Sequence, residues 1–449
     1  MNTDMTQGKI LPALIRFTIP ILIGDLFQQF YNIVDTIIVG RNLGSSALAA
    51  VGSGGMLMFL FIGFCASLTA GFGVVTSQEF GAKNMQGVRK SFASGMLLTI
   101  LVGLAITLLC HLLLRTLLVW MNVPDDIFED AYSYLAVIFG GMLATTLYNF
   151  FAANLRAIGN SRIPLYALLT ASGANIALDL FFIVVVKTGV WGAALATVIS
   201  QAAAALLCGI YILVKGKALQ PHGAEWKPEG SLVQRQLVIG IPMALQNVIT
   251  ASGTVIMQSA TNTFGSTAVA AVTAATKGRA IFTQPMVSIG VSMASFCGQN
   301  YGKGDMKRVK EGVYDAVKLI IVYGIAAGIV NYLILPAELS LFLSSGDSLA
   351  DLLPWAKTCI SINAVFYVPL GFIFCMRSAL QGCGKSAFTM LNGVIELAMR
   401  LIFAALAIAK HNFIMACACD AGAWCAAGIF CLVSFIIISN RLERSMSHE

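Results

Sequence analysis

Charged residues are scarce in this sequence. Asp, Glu, Lys and Arg make up only 11% of the 449 residues, whereas 58% are hydrophobic. A soluble domain carries about 25% charged residues, so this chain lacks the charge to cover a surface that faces water. A transmembrane helix needs about 20 apolar residues, and about twelve such helices with short loops would use nearly the whole length. This leaves no stretch for a soluble catalytic domain.

Histidine is rare as well, with four copies, and the common catalytic and metal-binding patterns are missing. There is no His-Glu-x-x-His and no Gly-x-Ser-x-Gly. Most of the eleven cysteines fall in apolar runs, and Cys417 and Cys419 are too close together for a zinc pattern. The segment Gly382–Ser386 lacks the first glycine of a phosphate-binding loop, because position 379 is Ala379. We therefore predict no enzyme, no cofactor and no ATP-driven transport by this chain alone.

The few charges follow a pattern along the chain. Basic residues cluster in every second loop between hydrophobic stretches, as in Lys83–Lys90 and Lys303–Lys310, whereas an intervening loop, Asp125–Asp130, is acidic. This is the positive-inside pattern of membrane proteins, and it accounts for the net charge of +7 without nucleic acid as a partner. It predicts an even number of spans with both termini in the cytoplasm. The short tails and compact loops are typical of a bacterial or archaeal inner (plasma) membrane.

An internal repeat indicates a duplicated architecture. Asn42–Val51 resembles Thr263–Val272, and Gln78–Met85 resembles Gln299–Met306, and both matches have the same offset along the chain. Two matches at one offset, each at the same place relative to the spans, are hard to obtain from shared composition.

The repeat predicts an all-α polytopic membrane protein with twelve transmembrane helices. We expect two pseudo-symmetric six-helix bundles around a central cleft, at residues 1–218 and 237–449, joined by a cytoplasmic linker at 219–236. Two halves inserted with the same orientation, with a cleft between them, are typical of transporters.

Polar residues inside the spans are the candidates for function, because a charge at mid-membrane costs about 2.5–3.5 kcal/mol. The first span carries a polar stripe at helical spacing that includes Gln28, Asn32 and Asp35. Hydrogen bonding to neighbouring helices explains Gln28 and Asn32 equally well. A carboxylate such as Asp35 needs more: a cation, a proton or a basic partner, for which Arg41 is a candidate.

The fifth and sixth spans add further oxygen ligands. Asn175 and Asp179 are one helical turn apart and share one helix face, and Thr197 lies in the sixth span. With Asp35 they provide two carboxylates, an amide oxygen and a hydroxyl. Such groups bind a small hard cation, with Na⁺ as the metal candidate, or share a proton.

The second half differs from the first. In the repeat, the position equivalent to Asp35 is Ile256, and the charges within the spans of this half are Lys277, Arg279, Glu396 and Arg400. At the offset of the repeat Glu396 and Arg400 would match Asn175 and Asp179, but the nearby glycines align better at a slightly longer offset. A structural role explains the pair equally well, because opposite charges one turn apart on a helix neutralise each other.

An ordered set of short motifs runs through the chain: Pro20, Tyr31–Gly40, Leu48–Gly52, Gln78, Gly81, Leu155–Gly159, Asn175–Asp179, Gly192–Thr197, Pro242, Arg279, Phe282, Pro285, Gln299, Gly302, Glu396 and Arg400. Together they resemble the multidrug and toxic compound extrusion (MATE) family over essentially the whole length. The resemblance implies secondary active export of drugs and dyes, often cationic and amphipathic, in exchange for H⁺ or Na⁺. It also implies a cation site at the residues matching Asp35, Asn175, Asp179 and Thr197. The acid that some members carry in the seventh span is absent.

From these observations we expect small-molecule substrates, contact with membrane lipid and function as a monomer. The residues predicted to line the substrate cleft are Gln28, Tyr31, Asn32, Gln246, Met257, Lys277, Arg279, Glu396 and Arg400. A flippase for a lipid-linked saccharide is the close alternative, because basic residues such as Lys277, Arg279 and Arg400 could bind a pyrophosphate. An intramembrane enzyme or receptor is weaker, because neither explains the duplication.

Overall fold

The computed structural model describes residues 3–342 and 348–446, and the elements found there are helical. Within these residues, ten helical segments are long and apolar enough to cross a membrane, and two bent helix pairs raise the number to twelve if each pair is one span. The predicted all-helical membrane fold is therefore confirmed.

The chain divides into two compact units. The first contains Met1–Asp4 and Ile19–Ala244, and the second contains Met5–Thr18 and Leu245–Glu449. Helices α1 to α8 are Ile10–Leu43, Ser45–Ser53, Gly55–Gly81, Met85–Trp120, Asp125–Gly140, Met142–Ala157, Arg162–Asp179 and Val190–Lys215. Helices α9 to α15 are Gly230–Asn262, Ser266–Gly302, Met306–Phe342, Leu349–Val365, Tyr367–Gly382, Ser386–Ala409 and Phe413–Met446.

Both units use the same packing scheme. In the first unit α3 packs against α4 and α6, while α5, α6 and α7 pack against α8. In the second unit α10 packs against α11 and α13, while α12, α13 and α14 pack against α15. Each helix from α3 to α8 thus has a counterpart in the second unit, as a duplicated sequence predicts.

The repeated motifs also form the same local structures. Asn84 Oδ1 accepts a hydrogen bond of 3.0 Å from the backbone N–H of Gly87, at the start of α4. Asp305 Oδ1 accepts the equivalent bond, also 3.0 Å, from Arg308 at the start of α11. Both side chains cap a helix by satisfying an N–H group that has no partner within the helix. The glycines before α2 and α10 also match, with φ of 88° and 90°, a left-handed conformation that glycine adopts without strain.

The first helix of each half contributes to both units. α1 begins in the second unit, where Thr18 Oγ1 donates a 2.8 Å hydrogen bond to Ser292 Oγ, and then continues into the first. α9 begins in the first unit, where Gly240 lies directly against Gly71, and then continues into the second. These contacts are equivalent in the repeat, since each pairs the early part of α1 or α9 with α10 or α3.

Candidate cation-coupling site

Three helices of the first unit carry the four residues predicted to bind the coupling ion. Asp35 is on α1, Asn175 and Asp179 are on α7, and Thr197 is on α8. The carboxyl groups of Asp35 and Asp179 lie close enough to interact directly with each other. Asp179 and Asn175 are 0% and 1% exposed, respectively, so this pairing takes place in the interior of the unit. Arg41 forms no ion pair with Asp35 within the described part of the chain.

A small cavity is lined by Tyr31 and Asn175, which precede Asp35 and Asp179 by one helical turn. Its volume is about 10 Å³, which is close to the least space that holds one water-sized particle. It is lined by Tyr31, Leu168, Ala171, Ser172, Asn175, Thr197, Ser200 and Gln201. The cavity therefore brings Asn175 and Thr197 together between α7 and α8.

Buried polar atoms without hydrogen-bond partners are concentrated here. Among the described residues they include Asp35 Oδ1, both carboxylate oxygens of Asp179, both polar side-chain atoms of Asn175, Ser200 Oγ and Gln201 Oε1. Each unsatisfied buried polar atom costs about 1–3 kcal/mol, and a charged group costs more. A bound proton or a small hard cation would remove much of this cost, and carboxylate, amide and hydroxyl oxygens are suitable ligands for such a cation.

The backbone of α7 changes at the site. The α-helix ends at Asp179 and continues as a π-helical turn, Leu180–Val186, before Lys187 adopts a left-handed φ of 60°. π-helical turns are rare and frequently accompany functional sites. The turn places Asp179 at the junction of the two helical forms.

Other residues surround the site. The Tyr31 hydroxyl lies close to the Gln28 and Gln201 side chains. Tyr134 of α5, only 3% exposed, lies near both carboxyl groups. The sequence patterns do not indicate Tyr134, Ser200 or Gln201 as residues of the site. Helical spacing could have indicated the last two, because they lie one turn after Thr197, whereas no local signal marks Tyr134.

The equivalent place in the second unit contains an ion pair. When the first residues of α8 and α15 are aligned, Asp420 corresponds to Thr197. When the left-handed glycines before α7 and α14, Gly159 and Gly384, are aligned, Arg400 corresponds to Asn175. Arg400 Nε lies 3.0 Å from Asp420 Oδ1. The second unit thus places a guanidinium and a carboxylate where the first places neutral ligands.

This ion pair belongs to a larger buried network. Arg279 Nη1 lies 2.8 Å from Asp420 Oδ2, so Asp420 binds an arginine with each oxygen. Glu396 lies farther from its partners, 3.9 Å from Arg400 and 3.7 Å from Arg377. The sequence motifs do not indicate Asp420, although an acidic residue within the last span is itself a signal of a functional or structural site.

The remaining residues predicted to line a cleft have different surroundings. In the first unit Gln28 is partly buried and Asn32 is exposed. In the second unit Gln246 is buried and donates a 3.1 Å hydrogen bond to Thr250, while Met257 is partly buried and Lys277 is exposed.

Comparisons with known proteins identify the family. The MatE family model matches residues 20–181 and 242–406, one segment in each half of the chain. Because these segments cover most of the sequence, the protein belongs to the MatE family, the multidrug and toxic compound extrusion transporters. The predicted resemblance is confirmed, and so is its consequence that the chain is a membrane transporter.

Individual relatives cover nearly the full length. A probable multidrug resistance protein of Bacillus subtilis, YpnP, is 29% identical over 413 residues, which is 90% of this chain and 89% of the relative. A FAD transporter of Shewanella oneidensis is 21% identical and covers 89% of this chain and 88% of its own length. A MOP superfamily transporter from Pyrococcus furiosus, known from its structure, is 22% identical, with a TM-score of 0.92 over 98% of both chains. The structural likeness shows a shared fold.

Proposed function

We propose that this chain is a secondary active multidrug exporter that exchanges amphipathic, often cationic, drugs or dyes for H⁺ or Na⁺ by alternating access. The observation that carries the proposal is the close approach of the Asp35 and Asp179 carboxyl groups among buried polar atoms without partners. Multidrug resistance and export proteins among the relatives support the substrate class.

The carboxyl pair is suited to bind and release a cation. Two carboxylates this close in a buried site cannot both stay charged without a compensating proton or cation. Thr197 Oγ1 donates its own hydrogen to the Ala193 carbonyl at 3.2 Å, which leaves its lone pairs available to a cation. Asn175 would contribute its amide oxygen.

Ion release would act on α1. When the proton or cation leaves, two negative charges remain close together, and their repulsion favours separation of Asp35 from Asp179. Because these residues are on α1 and α7, this repulsion would move α1 relative to α7. We infer that drug binding and ion binding are coupled through α1.

The arginines of the second unit argue against the lipid-linked saccharide flippase. Arg279 and Arg400 both bind Asp420, at 2.8 and 3.0 Å, so neither guanidinium is available to a pyrophosphate without losing a buried partner. One relative is named a FAD transporter. Because FAD is an anion, an anionic substrate is a second candidate class for this chain. We therefore include FAD beside cationic dyes in the transport test.

The test measures substrate movement in inside-out membrane vesicles under an imposed proton gradient and then under a sodium gradient. We expect gradient-driven accumulation of a cationic dye by the wild type, and its loss in Asp35→Asn and Asp179→Asn. Asp130→Asn, an exposed residue of α5, is the matched control and should transport normally. Absence of dye movement under both gradients in folded protein would refute the multidrug proposal. Normal transport by Asp35→Asn would remove that residue from the coupling site.

The topology completes the proposal. We place the protein in the inner membrane with both termini in the cytoplasm, following the alternation of basic and acidic loops. Reporter fusions at each terminus and in the 121–125 loop test this, because the loop should lie on the opposite side from the termini.

A further inference from the structure

The buried carboxylates of the second unit have different kinds of partners. Asp420 and Glu396 each lie within ion-pair distance of two arginines. Glu338, on α11, is partly buried, and no lysine or arginine of the described residues lies within ion-pair distance of it. Its hydrogen-bond partner is a neutral amide, since Asn331 Nδ2 donates to Glu338 Oε2 at 3.1 Å.

A directional chain of hydrogen bonds ends at this carboxylate. The Tyr367 hydroxyl donates to Asn331 Oδ1 at 2.5 Å, and the amide of Asn331 then donates to Glu338. Tyr367 and Asn331 are both 0% exposed. Glu338 also lies against α10 at Gly278, where an added Cβ would be 2.5 Å from Glu338 Oε2. The carboxylate is therefore held in place by groups that supply no full positive charge.

The fold does not require this polar chain. The two halves can be aligned by matching the first residues of equivalent helices. The starts of α4 and α11 align the residues of α11, and the starts of α6 and α13 align the residues of α13. In these alignments the first-unit counterparts of Asn331, Glu338 and Tyr367 are Cys110, Leu117 and Met142. The first unit thus builds the same helix packing with apolar side chains, which avoid the cost of burying polar groups.

We propose that Glu338 is a proton-binding residue of the second unit, with Asn331 and Tyr367 as positioning residues. A partly buried carboxylate that lacks a basic partner is neutralised most readily by a proton, and among the described residues its hydrogen-bond partner is the neutral amide of Asn331. The inference rests on the proposed function, because this site would add a second proton to the transport cycle.

The charged groups on the neighbouring helices do not neutralise the carboxylate of Glu338, so we assign this role to a proton. α11 packs against α10, α12, α13 and α15. Among the described residues, the groups that act electrostatically on Tyr367 include Tyr323 on α11, Arg279 on α10 and Cys359 on α12, and Lys277 lies one residue before Gly278 on α10. Arg279 is bound to Asp420 at 2.8 Å, so its charge is already compensated. Glu338 lies one turn before the end of α11 and is partly exposed, which gives a proton access to it.

Carbodiimide labelling of the full-length protein tests the proposal without requiring transport. Dicyclohexylcarbodiimide is apolar and modifies protonated carboxyl groups in membranes. The acid proton moves to a carbodiimide nitrogen, the carboxylate oxygen attacks the central carbon, and the adduct rearranges to a stable N-acylurea. We expect mass spectrometry to find the adduct on Glu338 at acidic pH, with labelling falling about tenfold per pH unit once the group ionises. Asp420, which lies 2.8 and 3.0 Å from two arginines, is the internal control and should stay unlabelled.

Transport variants then test the contribution of Glu338 to coupling. Glu338→Gln keeps a carbonyl oxygen for Asn331 but cannot titrate, so proteoliposomes should take up fewer protons per dye molecule. Tyr367→Phe should shift the pH range in which Glu338 is labelled without abolishing labelling. Glu311→Gln, an exposed residue of the same helix, should match the wild type in both assays.

The two proposals fail in distinguishable ways. If the wild type moves no dye, the exporter proposal fails while the labelling of Glu338 is still measured. Absence of the adduct on Glu338 at every pH, in folded protein, would overturn the proton site. An unchanged proton count in a transporting Glu338→Gln variant would also overturn it.

Discussion

Replacement of Asp420 by asparagine should destabilise the second unit strongly while preserving its shape. Asp420 is 2% exposed and binds Arg279 and Arg400 at 2.8 and 3.0 Å. The substitution removes the charge that compensates two buried guanidinium groups, and the next carboxylate, on Glu396, is 3.9 Å from Arg400. Breaking a buried ion pair costs about 3–5 kcal/mol. That corresponds to an unfolding equilibrium constant larger by about 10²- to 10⁴-fold.

The assay uses the cysteines of the protein as reporters. Ten of its eleven free cysteines are buried, with Cys425 as the partly exposed exception. A thiol-reactive dye that fluoresces on reaction therefore follows the unfolding of purified protein in detergent. We expect Asp420→Asn to unfold at a clearly lower temperature or denaturant concentration than the wild type.

An exposed ion pair provides the matched control. Arg115 Nη2 lies 3.1 Å from Glu129 Oε1, but these side chains are 61% and 71% exposed. Such pairs contribute about 0–1 kcal/mol, so Glu129→Gln should unfold much like the wild type. The reasoning would be wrong if Asp420→Asn were as stable as Glu129→Gln, because the buried network would then need no compensating carboxylate at that position.

Two further substitutions test other contacts. Gly71→Ala would place a Cβ 2.4 Å from Gly240 Cα. This overpacking should destabilise the first unit by about 1–3 kcal/mol in the same thiol assay. Gly173→Ala is the control and should not lower stability, because an added Cβ there has nothing within 4 Å. Equal stability of the two alanine variants would contradict this. Arg308→Ala removes three hydrogen bonds, of 2.8 to 3.2 Å, that hold carbonyl oxygens of the segment before α1. Trypsin should then cleave that segment faster than in the wild type. Lys307→Ala, which changes an exposed neighbour, is the control and should be cleaved at the wild-type rate. Unchanged cleavage of Arg308→Ala would show that other contacts are enough to hold the segment in place.

Comparison of the halves shows how far sequence repeats predict a site. The repeat correctly indicated two equivalent sets of helices, because motifs such as those around Asn84 and Asp305 form the same local caps. It could not decide which second-half residue matches Asn175, because loop lengths change the offset along the chain. The left-handed glycines before α7 and α14 support the longer offset and assign Arg400 to that position.

The sequence by itself determined the membrane class, the duplication and the presence of acids within spans. These features depend on local hydropathy, on spacing along one helix and on self-similarity, all of which are properties of a linear chain. Asp35 and Asp179 were recognisable for this reason, since a carboxylate in an apolar span is costly wherever it points.

Only the tertiary structure decided which of these groups meet. Helical periodicity indicates which face a residue occupies, but not which helix lies opposite that face. The pairing of Asp35 with Asp179 and the sharing of Asp420 by two arginines both join residues of different helices. Whether an arginine lies beside a buried carboxylate depends on which helices pack together, and the sequence does not state this.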